Sequence, residues 1–255
     1  MTEPSQYPAE PPRPEAVRIP VKLPAGKPIA TYVLIGITIL IYGLQMLSQS
    51  LSANGYDWPF LLGGKINVFI LKGEVWRLIT PVFLHGSVLH IAFNMYALYS
   101  LGTSLERYYG HWKFLLLYFV SGFAGNTLSF LLTESASIGA STAVFGLVAA
   151  EGVFIYKNRE LFGPRARSML MNLGMIIVVN LLIGLQPNID NWGHLGGLFG
   201  GAVFAWIGGP LLKLQTTIRG YELADVRTRH EVLWAFLLSA GLFVAVVIGR
   251  FLAAR

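Results

Sequence analysis

The amino-acid sequence predicts an all-α polytopic membrane protein, and three observations carry that prediction. Hydrophobic residues occupy 54% of the 255 positions and charged ones only 13%, with a mean hydropathy of +0.58. A soluble domain carries about a quarter charged residues. Apolar runs of spanning length follow one another along the chain, each near the ~20 residues that cross a bilayer. Lys and Arg fall on alternate connections, so that 14 of the 19 lie on one side of the predicted bundle. The 28 glycines suit helices that pack closely in lipid. With no cysteine, disulfides, thiol nucleophiles and zinc–thiolate sites are excluded. The net charge of +6 resides in the basic loops and gives no argument for nucleic acid.

Residues 1–28 hold eight prolines among polar residues and read as a disordered cytoplasmic tail. Glu3, Glu10 and Glu15 argue against a mitochondrial transit peptide, and no cleavable signal pattern precedes the first span. Spans are expected at 29–50, 82–104, 114–133, 138–156, 168–186, 192–212 and 231–252. The basic residues of the tail and of the connections after spans two, four and six put the N-terminus inside and the C-terminus outside. The connection 51–81 is too apolar for a solvated loop, with Trp58, Phe60, Leu61, Leu62, Val68, Phe69 and Trp76, and is expected in the membrane interface.

This topology gathers polar groups at one depth. Span four begins at the outer side with Gly139-Ala140-Ser141-Thr142-Ala143-Val144-Phe145-Gly146, where a serine sits among small residues in a first turn. The free N–H groups of such a turn favour developing negative charge, which is what an oxyanion beside a nucleophile requires. Span six also begins outside, with His194 in its first turn, and His85 and His90 lie in the outer half of span two. His90 and Asn94 stand four apart and therefore share a helix face. Strongly polar groups inside a span are expensive and point to function, although interhelical hydrogen bonding explains a lone Asn equally well. Gly193, Gly197 and Gly201 leave a bare strip on span six, opposite the small residues of span four, so His194 is expected to reach Ser141. A serine needs such a base within hydrogen-bond distance to become a nucleophile, and no Lys or carboxylate lies at that depth. Asp190 reads as a solvated loop anion, Tyr96, Tyr99 and Phe145 as packing, and Glu151 as lying near the inner side, roughly 15 Å along the helix from Ser141.

These pieces together resemble the rhomboid family of intramembrane serine proteases. The matching residues are Trp76-Arg77, His85, His90-x-x-x-Asn94, Glu106-Arg107, Gly139-x-Ser141 and His194-x-x-Gly197-x-x-x-Gly201. The resemblance implies a six-helix catalytic core over residues 29–212, followed by 213–255 as a linker and a seventh transmembrane helix. It implies Ser141 as nucleophile and His194 as general base, a dyad with no acid, with His90, Asn94 and the Ser141 backbone N–H as the oxyanion hole. It implies no metal and no cofactor. The expected partners are transmembrane protein substrates and the lipid bilayer, the oligomeric state being left open, and the expected location is a bacterial-type plasma membrane with the site toward the outer face. Two residues depart from the family pattern. Thr142 stands where Gly is usual and is expected to add bulk beside the nucleophile. Phe145 stands where a Tyr commonly stacks on the catalytic histidine, a role Phe can still fill. The rival readings are a non-proteolytic rhomboid-like protein that binds membrane clients, and a transporter or channel. The absence of an evident internal repeat and of midplane charges speaks against the latter.

Overall fold

The computed structural model describes residues 21–22, 26–187, 189–218 and 220–254. The expected disordered tail therefore lies almost wholly outside the described residues. Among the described residues, seven long helices occupy the seven apolar runs: α1 (Ile29–Leu51), α4 (Val88–Tyr109), α5 (His111–Leu132), α6 (Ser141–Lys157), α8 (Arg165–Ile183), α9 (Asn191–Gly208) and α10 (Arg229–Ala253). Short helices α2 (Trp58–Gly63), α3 (Asn67–Leu71) and α7 (Arg159–Phe162) lie in the connections. Among the described residues, α1, α5, α8 and α10 are long and apolar enough to cross a membrane.

The boundary of the second run is corrected. Residues 80–83 form a 3₁₀ turn rather than helix, and α4 begins only at Val88. The reason is local: Pro81 and Gly86 interrupt the pattern, and Ser87 caps the helix by accepting a hydrogen bond from the His90 amide at 3.1 Å. Val82 and Leu84 are apolar because they are buried beneath the loop, and His85 precedes the helix.

Helix α9 sits at the centre against α5 and α6, with α10 covering α5 and α9 and with α1 against α4. Glycine sets these distances. A Cβ on Gly197 would overlap the Thr142 carbonyl of α6, and one on Gly201 would overlap Gly146. On the adjacent face, a Cβ on Gly196 would lie 2.7 Å from the Ala124 carbonyl of α5. Span four and span six thus meet through the expected strip, and a second strip, Gly196 and Gly200, faces α5. At the other end of the bundle, Glu106 in the last turn of α4 receives the Ala30 and Thr31 amides at 2.8 and 2.7 Å. A carboxylate there satisfies the first donors of α1 and complements its dipole.

Two buried cations organise the 52–87 connection, Arg77 by bracing it internally and Lys65 by tying it to the end of α5. Arg77 donates to the carbonyls of Gly64 (2.9 Å) and Leu61 (2.6 Å) and pairs with Glu74. Lys65, with no exposed surface, donates to the carbonyls of Thr133 (2.6 Å) and Ser135 (3.0 Å). Trp58, Leu62, Val68, Val75 and Trp76 face outward from the same loop. The stretch between α9 and α10 is a β-hairpin, β2 (Leu212–Thr217) and β3 (Gly220–Asp225), in the antiparallel register Leu212↔Asp225 to Thr217↔Gly220. Strand β1 (Val21–Lys22) adds in parallel to β3, giving the order β1-β3-β2.

Candidate active site

Ser141 is the first residue of α6. The turn that delivers it depends on Gly139, whose φ of +132° suits glycine alone and where a Cβ would stand 2.7 Å from His90 Nε2. The Gly139 amide donates to the Pro81 carbonyl at 3.0 Å, which ties this turn to the loop that leads into α4. One glycine therefore holds His90 against the serine turn.

His194 lies in the first turn of α9, buried, with Nε2 3.0 Å from Ser141 Oγ. The Phe145 ring stacks on it at 4.3 Å and 7°. Phe145 follows Ser141 by four residues, so one face of α6 supplies both the hydroxyl and the surface that fixes the imidazole plane. With Ser141 donating to Nε2, the ring proton resides on Nδ1, which is buried and has no hydrogen-bond partner among the described residues. No third group polarises the ring through that nitrogen.

Asp190 requires a correction. It is not a solvated loop anion: its carboxylate caps α9 by accepting from the Gly193 amide at 2.9 Å and accepts a second hydrogen bond from the Ser129 hydroxyl of α5. The reason is tertiary, since Ser129 is 61 residues away in sequence. The cap orients the turn that bears His194, so Asp190 is a positioning residue that sequence reasoning passed over.

His90 and His85 meet edge to face, with ring centroids 5.0 Å apart. His90 Nδ1 accepts from the Gly86 amide at 3.4 Å, a long contact that favours the tautomer with its proton on Nε2, the nitrogen nearest Gly139. His85 Nε2 accepts from the Ala140 amide at 3.4 Å and thus buttresses the same turn. Asn94 is buried and donates one amide proton to the His90 carbonyl of its own helix at 2.9 Å, with no hydrogen bond to Ser141. Its second N–H is the one left for a ligand.

Thr142 does not flank the cleft. Its side chain is 3% exposed and turns into the seam with α5 and α9, where glycines make room for it. A Cβ on Gly125 would lie 2.5 Å from the Thr142 Cβ, and one on Gly193 would lie 3.2 Å from its Cγ2. The bulk added at 142 is accommodated by removing bulk at 125 and 193. Glu151 is ten residues further along α6 and takes no part.

Residues 72–211 match the Rhomboid domain. The chain is 41% identical over 177 residues to the "Rhomboid protease GluP" of Bacillus subtilis, covering 69% of this chain and 34% of that protein. It is 34% identical over 198 residues to "RHOMBOID-like protein 1" of Arabidopsis thaliana, with 72% and 50% covered. For "RHOMBOID-like protein 2" of the same plant the figures are 37% over 182 residues, with 68% and 56% covered. The chain spans between about a third and just over half of the length of these relatives.

Proposed function

The chain belongs to the rhomboid family, and from that membership and the 3.0 Å approach of His194 Nε2 to Ser141 Oγ we propose that it is an intramembrane serine endopeptidase. Its substrates are transmembrane segments of other membrane proteins, cut near the outer face. The single observation that carries this reading is the Ser141–His194 pair, two residues 53 apart in sequence held at hydrogen-bond distance inside a bundle of apolar helices.

In the first half-reaction, Ser141 Oγ adds to the scissile carbonyl carbon while His194 Nε2 takes the hydroxyl proton. The carbonyl π pair moves onto oxygen. That oxyanion is met by the Ser141 backbone N–H, the His90 Nε2–H and the free N–H of Asn94. Collapse re-forms the carbonyl, breaks the C–N bond and sends the amine away with the proton from His194, leaving an ester on Ser141. Water then attacks the ester while His194 takes its proton, and collapse breaks the C–Oγ bond as His194 gives that proton to Ser141 Oγ, releasing the carboxyl product and restoring the hydroxyl. Asp190 acts through α9, and Phe145 holds the imidazole plane; neither exchanges a proton.

The charge asymmetry supports an N-terminus in the cytoplasm of a bacterial-type cell and a site toward the outer leaflet. A peptide bond within a helix is shielded by its own hydrogen bonds, so substrates must unwind locally, and helix-breaking Gly or Pro in them favours cleavage. The test is cleavage of a transmembrane substrate by the purified full chain, together with labelling by a serine-directed fluorophosphonate. Ser141→Ala and His194→Ala each abolish both, and the double variant is no worse, because the pair acts as a unit. Turnover by Ser141→Ala comparable to wild type would refute the proposal.

A further inference from the structure

The end of the bundle far from Ser141 carries a groove that the proposed proteolysis leaves unused. Helix α6 ends at Lys157, roughly 24 Å from Ser141 at ~1.5 Å per residue. There, between the last turn of α6, α7 and the first turns of α8, a cavity of about 760 Å³ opens, lined by Tyr156, Arg159, Arg167, Leu170 and Met171 among others. A second cavity of about 360 Å³ shares Tyr156, Arg159 and Glu160 with it and continues to Lys157 and Trp206 of α9. Together they form one open groove of a size that takes a small molecule or a lipid headgroup.

Its two ends differ in chemistry. The segment 157–167 carries Lys157, Arg159, Arg165 and Arg167 against the single carboxylate of Glu160. Among the described residues neither Arg159 nor Arg167 makes an ion pair. Arg159 instead lies over the Tyr156 ring at 5.3 Å and Lys157 over the Trp206 ring at 4.8 Å, and those two rings stack at 5.9 Å. A Tyr–Trp pair with cations laid across it is the arrangement found where helices leave a bilayer. The other end is Leu170 and Met171, continued along α8 by the exposed Met175, Val178 and Leu182. Only 11% of the apolar window of α8 is buried within the protein, so this face meets acyl chains.

We infer that this groove is a binding site for an anionic phospholipid, its phosphate on Arg159 and Arg167 and an acyl chain along α8. Unpaired guanidinium groups beside an apolar track call for one molecule that is anionic at one end and apolar along the rest. Arginine receives phosphate through paired N–H donors, and basic pockets between membrane helices bind anionic headgroups. A zwitterionic lipid would bring its own cation to a site already rich in positive charge.

The test uses the full-length protein in phosphatidylcholine nanodiscs titrated with phosphatidylglycerol, with retained lipid read by native mass spectrometry. Retention of phosphatidylglycerol over phosphatidylcholine is expected. Arg159→Gln/Arg167→Gln should weaken it roughly tenfold or more, since these two guanidinium groups line the groove and would hold the phosphate directly. Arg165→Gln, in the same segment but lining neither cavity, should change it less than twofold. Circular dichroism melting verifies that each variant folds, and Arg167→Gln alone is read if the double variant does not. Equal retention of the two lipids, or an equal loss in Arg165→Gln, would overturn the inference. So would full displacement of phosphatidylglycerol by millimolar inorganic phosphate, which would assign the arginines to a soluble phosphate.

Discussion

Replacing Gly197 with alanine adds one methyl group at the tightest crossing in the bundle. The added Cβ would stand 2.8 Å from the Thr142 carbonyl carbon and closer still to its oxygen, whereas ordinary contact begins at 3.4 Å. The opposing atoms are backbone in the first turn of α6, so no side chain can rotate out of the way. Helix α9 must retreat by at least about 0.6 Å from the carbon alone. His194 is one turn from Gly197 on α9, and Ser141 is the residue before Thr142 on α6. The displacement therefore falls on the Ser141–His194 distance almost undiluted. A misplacement of ~1 Å costs on the order of 10²-fold in rate, so Gly197→Ala should lower kcat/KM by roughly 10- to 100-fold, mostly in kcat, and Gly197→Leu should abolish turnover. The assay is cleavage of a reconstituted transmembrane substrate alongside the rate of fluorophosphonate labelling. Two controls bracket it. Gly174→Ala has nothing within 4 Å of the new methyl, and Phe199→Leu changes an exposed side chain on another face of α9. If Gly197→Ala cleaves and labels like these controls, α6 and α9 do not hold the pair through the glycine strip, and the proposed placement of His194 is wrong.

Three further outcomes follow from the site. Asn94→Ala and His90→Ala should each lower kcat by up to ~10²–10³, the cost of one oxyanion donor, with less change in KM; if Asn94→Ala alters only the yield of protein, its bond to the His90 carbonyl is its whole role. Thr142→Gly should lower thermal stability by about 1–2 kcal/mol, through the void left in the α5–α9 seam and a poorer helix former, while the relative rates on bulky and small substrates stay equal; a shift toward bulky substrates would show that residue 142 faces the cleft after all. Burial pushes Lys65 from 10.5 down to about 8, with Asp190 and Glu134 pulling it back up. The unfolded chain then binds the extra proton between those values, so stability should rise as pH goes from about 8 to 10.5. Melting temperatures across that range test this, and Lys65→Met should remove the slope.

The site was legible in sequence where its signal is a spacing. His90 and Asn94 at four residues and Gly193, Gly197 and Gly201 at four residues are helix geometry written in one dimension, and the alternation of basic loops put Ser141 and His194 at the same end of the bundle, where the two meet. What was not legible depends on partners remote in sequence. Asp190 looks like any loop carboxylate until Ser129 is beside it. Thr142 looks like an obstruction until Gly125 and Gly193 are seen to have vacated its place. The start of α4 was misplaced because Val82 and Leu84 are buried by protein, and hydropathy does not distinguish that from burial by lipid. The hairpin after α9 did leave a signal, the alternation of Leu212-Lys213-Leu214-Gln215, hidden by the glycine-rich run that precedes it.

The hydropathy of the helices also bears on why the site is where it is. The helices apolar enough to span by composition are α1, α5, α8 and α10, and three of them keep most of their surface outward, with 28%, 11% and 28% of the apolar window buried in α1, α8 and α10. Ser141, His194 and the His90–Asn94 pair lie instead on α6, α9 and α4, which are not among these four, α6 being only 17 residues long. A helix facing lipid must be apolar all along, because nothing there receives a polar group. A helix walled in by other helices is free of that demand and meets a different one: it must be thin. Residues Thr142 to Ala150 of α6 are buried without a break, which only small residues such as Ala143, Gly146, Ala149 and Ala150 allow at these crossings. Thinness brings backbones together, and close backbones bring a serine on one helix within 3.0 Å of a histidine on another. The small residues that let these helices approach are thus the same ones that place the proposed dyad.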